Sequence, residues 1–120
     1  MEIKDTIMIA TEFGDTAGAR DYEDGDFSGK EFYDKFLLPR FQKALKENYI
    51  LQIDLEGFWG WPSSFVSGSF GILSKKYDPQ TVLKHLKIKC TSNQMKEEKA
   101  IYIIENPDKQ WEYFSTMFYQ

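Results

Sequence analysis

The sequence predicts an α/β fold in which at least part of the sheet is parallel. Patterns typical of strands and helices alternate along the chain in the order strand, helix, strand, helix, strand, helix. Residues 49–55 read YILQIDL, a mostly apolar run that suits a central strand covered on both faces. The chain has 120 residues, of which 42% are hydrophobic, and this combination indicates one globular domain with a single core.

The first half of the chain contains a strand, an acidic loop and a long helix. Residues 3–11 end in an apolar stretch and predict a strand, whereas residues 14–27 carry five acids and predict a loop with a short extended piece around residues 20–22. Ser28 predicts a helix start, because its hydroxyl can cap the Glu31 amide while the Glu31 carboxylate returns to the Ser28 amide. The helix should kink at Pro39, and its predicted apolar face comprises Phe32, Phe36, Phe41, Ala44 and Leu45.

The second half of the chain contains two further helices, a strand and a terminal helical pattern. A helix should follow the serines at 63 and 64 and run to about Tyr77, although Gly68 and Gly71 weaken it. Asp78-Pro79 predicts the start of a short helix, and residues 86–90, LKIKC, predict the third strand. Residues 91–94 offer caps for a helix with Met95, Ala100, Ile101 and Ile104 as apolar positions, and residues 108–120 predict one more amphipathic helix.

Composition excludes several classes of protein. The net charge of −4 disfavours a broad surface for nucleic acid or an anionic membrane. The single cysteine, Cys90, excludes an internal disulfide and fits a reducing compartment. There is no signal-peptide pattern and no apolar run near the roughly 18 residues of a membrane span, so we expect a cytoplasmic protein.

Two short motifs suggest ligand loops, and both fail on spacing. The glycines of GDFSGKE at 25–31 lie one residue too close for a phosphate loop, and Glu31 stands where Ser or Thr should bind magnesium. DGDFSG at 24–29 resembles the front of a calcium loop, but Lys35 occupies the position of the closing acid. The helix cap explains these residues, and we expect neither a metal nor another cofactor.

The sequence contains little evidence of a catalytic site. His85 is the single histidine, and with Cys90 it does not complete a four-ligand zinc set. A triad of Ser64, His85 and Asp54 can be drawn, but no Gly-x-Ser-x-Gly elbow supports it. We therefore expect no catalytic residues and no enzymatic activity.

The segment GFWGWPSSFVSGSFG at 57–71 offers two interpretations of its serines and two of its tryptophans. Ser63 or Ser64 can cap the following helix, and a helix start is also where a phosphate is best tolerated. Trp59 and Trp61 are either anchors for a partner or a lid over the core. The residues alone leave both pairs of alternatives open.

Two stretches of the chain resemble the STAS-like domain family of unknown function, which is related to the STAS domains of bacterial anti-sigma-factor antagonists. They are G18-x-R20 with FSGKEF at 27–32, and IDLEGFWGWPSSF at 53–65 followed by Phe70-Gly71. The resemblance implies a single STAS-like domain over residues 1–120, with a mixed sheet and helices packed chiefly on one face. The residues of this chain that carry the family motif are Gly18, Arg20, Ser28, Gly29 and Asp54.

The resemblance also implies a function. In the antagonists a serine of such a pair is phosphorylated by a kinase partner and so switches binding, which places Ser64 on the phospho-acceptor position with Ser63 beside it. We therefore expect a non-catalytic regulatory module for protein–protein interaction. Its partner would be a histidine-kinase-like ATPase or a serine kinase acting in trans, and the candidate contact residues are Trp59, Trp61 and Phe65. The alternative is a domain that senses a small anion or a nucleotide between the acidic loop and Ser64.

Overall fold

Three parallel strands form the sheet of the computed structural model, which describes residues 1–108. They are β1 (Ile3–Met8), β2 (Ile50–Asp54) and β3 (Leu86–Lys89), and they lie in the order β1-β2-β3. The α/β fold class is confirmed, and so is the central position of β2. Both strand pairs are parallel, so this part of the sheet lacks the antiparallel pairing of a mixed sheet.

One face of the sheet is packed under the helices, as expected. Ile7, Ile53 and Ile88 lie side by side in register on this face and are buried. On the opposite face Thr6, Gln52 and Lys87 are in register and remain partly or fully exposed. The expectation that β2 is covered on both faces is therefore wrong for the described residues, because the strand alternates between apolar and polar faces at Gln52.

The first long helix is interrupted at its centre. Segments α2 (Gly29–Phe32) and α3 (Leu38–Glu47) are joined by the π-helical turn Tyr33–Leu37. Pro39 lies at the start of α3 and has no amide proton to donate to the preceding turn. The helix adapts to this missing bond in the π-helical turn just before Pro39. A short helix, α1 (Ile9–Glu12), directly follows β1.

The second long helix has the same construction. Segments α4 (Ser63–Val66) and α5 (Ile72–Tyr77) are joined by the π-helical turn Ser67–Gly71, and the helix ends at Tyr77 as predicted. The carboxylate of Asp78 then accepts a hydrogen bond from the Thr81 amide and caps α6 (Pro79–His85).

The last described helix buries two of the four apolar residues that we expected, Ala100 and Ile104. Helix α7 (Gln94–Glu105) is capped by Asn93, but Met95 and Ile101 are exposed, at 50% and 37%. Their angular positions lie away from the buried stripe, given 3.6 residues per turn. The buried residues of this helix are Lys99, Ala100, Ile103 and Ile104.

The core is rich in phenylalanine. The Phe32 ring lies 6.0 Å from both the Phe65 ring and the Phe70 ring, and these three side chains join the two long helices. Within residues 1–108, no helix is both long and apolar enough to cross a membrane. The helix predicted at the C-terminus falls, apart from Asp108, outside the described residues.

Candidate functional site

The loop after β2 holds Trp59 rigidly by its backbone and leaves its side chain in solvent. The Trp59 amide donates to the Asp15 carbonyl at 2.7 Å, and the Trp59 carbonyl accepts from the Ala17 amide at 2.9 Å. These bonds form a parallel bridge between Trp59 and Thr16, which lies at the start of the acidic loop. The indole is 73% exposed. Trp59 is thus a large apolar side chain on an ordered backbone.

Trp61, two residues later, lies in the core. It is 6% exposed, and its indole nitrogen donates to the Lys96 carbonyl at 3.0 Å. Gly60 between the two tryptophans takes φ +74°, a left-handed conformation that turns the chain between them. Trp61 is therefore a lid over the core. Together with the fully buried Phe65, it is wrong as a candidate contact residue, because neither side chain reaches the surface.

The serine pair divides into one buried and one accessible residue. Pro62, not a serine, occupies the cap position of α4, so Ser63 and Ser64 are its first and second residues. Neither hydroxyl caps the helix, because the cap residue must stand before the first helical turn in an extended conformation, and Pro62 does. Ser63 is 1% exposed and its hydroxyl has no hydrogen-bond partner among residues 1–108, whereas Ser64 is half-buried. Of the two candidate phospho-acceptors, only Ser64 is partly open to solvent.

Three residues of the family motif, Gly18, Arg20 and Gly29, form a close contact, here called the glycine seam, that joins the acidic loop and the two long helices. The Gly29 amide donates to the Ala19 carbonyl at 2.8 Å. A methyl group on Gly29 would overlap the Phe65 carbonyl oxygen, and one on Gly18 would overlap the Asp26 carbonyl oxygen. A methyl group on Gly68 would lie 2.6 Å from the Arg20 carbonyl oxygen. Gly68, which the sequence marks merely as a weak helix residue, completes this seam.

Ser28 caps the first long helix as predicted, but its partner Glu31 bonds elsewhere. The Ser28 hydroxyl accepts from the Glu31 amide at 3.1 Å. The Glu31 carboxylate accepts from the amide of Phe27 at 3.2 Å, not from Ser28 as expected. This bond reaches Phe27 because that residue takes φ +56°, in the left-handed region.

Phe27 is a surface residue that the sequence interpretation missed. Its ring is 44% exposed and lies edge-to-face with Phe13 at 5.5 Å. A hydrophobic residue just before a helix cap usually packs against the residue four positions into the helix, here Phe32. The sequence signal was present in FSGKEF at 27–32, but it predicts a buried ring rather than an exposed one.

Arg20 lies close to the face of the helix that carries Ser64. Gly68 is one turn after Ser64 on the same side of the helix, and a methyl group on Gly68 would lie 3.2 Å from Cγ of Arg20. The guanidinium of Arg20 forms no hydrogen bond or ion pair within residues 1–108. The stem of a cationic side chain therefore packs beside the helix, one turn after Ser64.

Asp54 and the neighbouring Glu56 organise the loops at the carboxyl end of the sheet. An Asp54 carboxylate oxygen accepts from the Glu56 amide at 2.9 Å. The Glu56 carboxylate accepts from the Ser92 hydroxyl and the Thr91 hydroxyl, both at 2.8 Å, and from the Ser92 amide. These bonds, led by that from the Ser92 hydroxyl, lower the pKa of Glu56 to about 2. The loops after β2 and β3 are thereby held together beneath the aromatic loop.

The family model for a STAS-like domain of unknown function matches residues 28–96, which is more than half of the chain. The chain belongs to this family. No curated protein and no solved structure matches the sequence significantly. The matched range of the STAS-like domain includes Ser28, Gly29, Asp54, Ser63 and Ser64, while Gly18 and Arg20 precede it and join it through the glycine seam.

The catalytic triad that can be drawn on the sequence does not assemble in this STAS-like domain. His85 is buried, and its Nδ1 lies 3.0 Å from the Tyr49 carbonyl, just before β2 begins. Asp54 is the last residue of β2, at the opposite end of the strand and about 16 Å from Tyr49 at the rise of a strand. In the described part of the chain, no three His, Cys, Asp or Glu residues are placed to hold a metal ion.

Proposed function

We propose that this STAS-like domain is a non-catalytic regulatory module whose protein partner docks on the loop that carries Trp59. The single observation that supports this is the exposed indole of Trp59, whose backbone amide and carbonyl are both hydrogen-bonded to the acidic loop. Tryptophan is enriched among the residues that dominate binding energy at interfaces. Because the loop is already ordered, docking loses little conformational entropy.

Further contacts from helix α7 support a preformed loop. The Lys96 ammonium donates to the Phe58 carbonyl at 2.7 Å, and the Lys99 ammonium donates to the Trp61 carbonyl at the same distance. Trp59 thus lies between two residues whose carbonyl groups are bound to one helix. This arrangement favours a rigid recognition loop over one that folds on binding.

Regulation in this proposal acts through phosphorylation of Ser64 by a kinase in trans. A phosphate adds about −1.5 to −2 charges at neutral pH, and amides at a helix start stabilise such a charge. Ser64 is the second residue of α4, five positions from Trp59, and Arg20 offers a nearby cation. The fold should therefore accept the modification while the charge beside the docking loop changes. Ser63 is excluded as the primary acceptor by its burial.

Site-specific photo-crosslinking in the native host tests the proposed function. A photoreactive phenylalanine analogue replaces Trp59 in one protein and Lys87, on the exposed sheet face, in the control. We expect a discrete protein adduct from position 59 alone, and a changed adduct yield when Ser64→Glu is added. Equal adducts from both positions, or no protein adduct at position 59, would refute the docking loop.

Sensing of a small anion is a second candidate, favoured by the guanidinium of Arg20, which has no partner within residues 1–108 and whose side chain packs beside Gly68, one turn after Ser64. In that case inorganic phosphate or adenosine monophosphate should bind the purified protein, and Arg20→Gln should abolish the binding. Isothermal titration calorimetry measures both. The five carboxylates of the neighbouring loop oppose this function, because they repel anions.

A further inference from the structure

The negative charge of this protein is concentrated in one loop. Residues 15–26 contain five carboxylates and one arginine, which gives a net charge of −4. The whole chain has 19 acids and 15 basic residues, so the remainder has 14 of each and is formally neutral. The excess charge of the molecule is therefore local, and it lies beside the Trp59 backbone.

The carboxylates of this loop are not neutralised by ion pairs within residues 1–108. Asp21 accepts from the Tyr22 amide, Asp24 accepts from the Asp21 amide, and Asp15 accepts from the Thr16 hydroxyl. None of the five loop carboxylates forms an ion pair with another residue in the range 1–108. Several acids outside the loop are paired, as in the contacts of Arg40 with Asp5 and Glu12. The loop thus leaves a negative potential on the surface.

Two exposed aromatic rings flank the same loop. The Asp15 carbonyl and the Ala17 amide bond to Trp59, while the Gly18 amide bonds to the Phe27 carbonyl at 2.8 Å. The segment 15–18 therefore lies between Trp59 and Phe27, and their backbones are about 10 Å apart, two strand spacings. Phe27 is held in a left-handed conformation that a bulky residue rarely adopts. The two exposed rings are thus carried by backbone segments that are hydrogen-bonded to the acidic loop on either side of residues 15–18.

We propose that this aromatic–acidic surface, made by Trp59 and Phe27 with Asp15, Asp21, Glu23, Asp24 and Asp26, binds a protein whose docking face is an apolar pocket rimmed by lysine and arginine. The inference rests on the proposed function and adds the chemistry of the partner. The rings supply the desolvated centre of the contact, and the carboxylates supply the polar rim. Complementary charge accelerates association and selects against acidic proteins.

The proposal determines the sign of the phosphorylation effect. A phosphate on Ser64 adds negative charge next to a surface that already attracts a basic partner. Phosphorylation therefore strengthens binding through faster association, and the strengthening is greatest at low salt. A partner with an acidic docking face would show the opposite sign.

The test uses two synthetic hexapeptides with the same apolar centre, acetyl-KKLFKK-amide and acetyl-EELFEE-amide, titrated into the isotopically labelled full chain. Nuclear magnetic resonance follows the Trp59 indole proton, and the buried Trp61 indole is an internal control. We expect saturable shifts at Trp59 and in the amides of residues 15–27 with the lysine peptide, and none with the glutamate peptide. Raising sodium chloride from about 50 to about 500 mM should abolish these shifts.

Matched variants separate a specific surface from net charge. One protein carries Asp21→Asn, Glu23→Gln, Asp24→Asn and Asp26→Asn, and its control carries four neutralised surface acids outside the loop: Glu2→Gln, Glu47→Gln, Glu98→Gln and Glu105→Gln. Both change the net charge equally. We expect the loop variant and Trp59→Ala each to weaken binding of the lysine peptide about fivefold or more, and the control less than twofold.

Several results would overturn the proposal. Equal weakening in the two charge variants would mean adventitious attraction by net charge. Unchanged binding in Trp59→Ala, with a native circular dichroism spectrum, would remove the aromatic contribution. Binding of the glutamate peptide would exclude a basic partner. Sedimentation experiments test whether the occupant is a second copy of this chain, which presents Lys87 on its exposed sheet face. Self-association that Trp59→Ala and Lys87→Gln both prevent would show that it is, and would overturn the proposal of a different protein.

The failure of this inference differs from the failure of the proposed function. If position 59 crosslinks a protein while the lysine peptide does not bind, the docking loop stands and the basic partner is wrong. If the peptide binds as expected but no protein adduct forms at position 59, the surface recognises basic groups while the regulatory module is wrong.

Discussion

Gly68 and Gly71 show how two identical residues in one helix have different reasons to be glycine. At Gly68 an added methyl group would lie 2.6 Å from a carbonyl oxygen of Arg20, which belongs to an immobile backbone. At Gly71 the nearest atom would be Cγ2 of Ile103 at 3.4 Å, an ordinary contact. The close approach at Gly68 lets the loop of residues 18–20 pack against the helix.

The first prediction follows from this difference. Gly68→Ala should lower the free energy of unfolding by about 1–3 kcal/mol, because overpacking forces the seam apart. Gly71→Ala should not lower it and should raise it by about 1 kcal/mol at most, since alanine has the higher helix propensity and the new contact with Ile103 is an ordinary one. Urea denaturation of both variants measures the difference, and equal stability would mean that the seam yields without cost.

The second prediction compares two serines at helix starts. Ser28→Ala should lower the free energy of unfolding by about 1 kcal/mol, because the hydroxyl that caps the Glu31 amide is lost. Ser64→Ala is the matched control and should change stability by a few tenths of a kcal/mol at most, because Ser64 does not cap its helix. Chemical denaturation midpoints decide, and an unchanged midpoint for Ser28→Ala would contradict the capping role.

The third prediction separates the members of the serine pair. Ser63→Glu should prevent stable folding. The substitution places an unpaired carboxylate in the core, and this lowers the free energy of unfolding by several kcal/mol. Ser64→Glu should unfold at a temperature close to that of the natural protein, since the helix start accepts an anion. Thermal unfolding followed by circular dichroism measures the stability of both variants. A Ser63→Glu protein with native-like stability would mean that Ser63 is again a candidate phospho-acceptor.

At the scale of elements, polar clusters connect segments that are distant in the chain. Arg40 in α3 donates to both Asp5 carboxylate oxygens in β1, at 2.7 and 2.9 Å, and to Glu12 in α1. These bonds lower the pKa of Asp5 below its ordinary value of 3.8. Glu56 joins the loops that follow β2 and β3 in the same way. Each cluster therefore stabilises the fold in its ionised form.

The fourth prediction is a dependence of stability on acid. Carboxyls with a lowered folded-state pKa contribute stability above their ordinary pKa and lose it as the pH falls through the folded value. Stability should therefore decrease as the pH falls from about 4.5 towards 2, the pKa of Glu56. Urea denaturation at several pH values measures this loss. Glu56→Gln should weaken the dependence, and an identical pH profile would show that Glu56 contributes nothing.

At the scale of the whole molecule, charge and shape are both asymmetric. Helices cover one face of the sheet, while Lys87 and Lys89 project beside the edge of the exposed face. Lysine on an edge strand discourages pairing with another sheet. The carboxyl end of the sheet carries the acidic loop and Trp59. The molecule thus carries lysines on β3, where they discourage pairing with another sheet, and exposed acids and Trp59 at the carboxyl end of the sheet.

Much of the fold was predictable because local rules specify it. The apolar run at 49–55 identified the central strand, Ser28 and Asp78 identified helix starts, and the alternation of strands and helices identified the class. The motif residues identified the family, which the match over residues 28–96 confirmed. These signals depend on neighbours within a few positions, so the sequence alone contains them.

The candidate site depended on contacts between distant segments. Trp59 and Trp61 share nearly the same local sequence, yet Gly60 turns the chain so that one is exposed and the other buried. Ser63 and Ser64 are chemically identical, and because Pro62 takes the cap position they become the first two residues of α4, of which Ser63 faces the core. Phe27 is exposed because Phe13 and Glu31 hold it in a left-handed conformation. Sequence by itself determined the class, the family and the candidate residues. The tertiary structure alone decided which of them share a surface, because burial is set by packing between elements far apart in the chain.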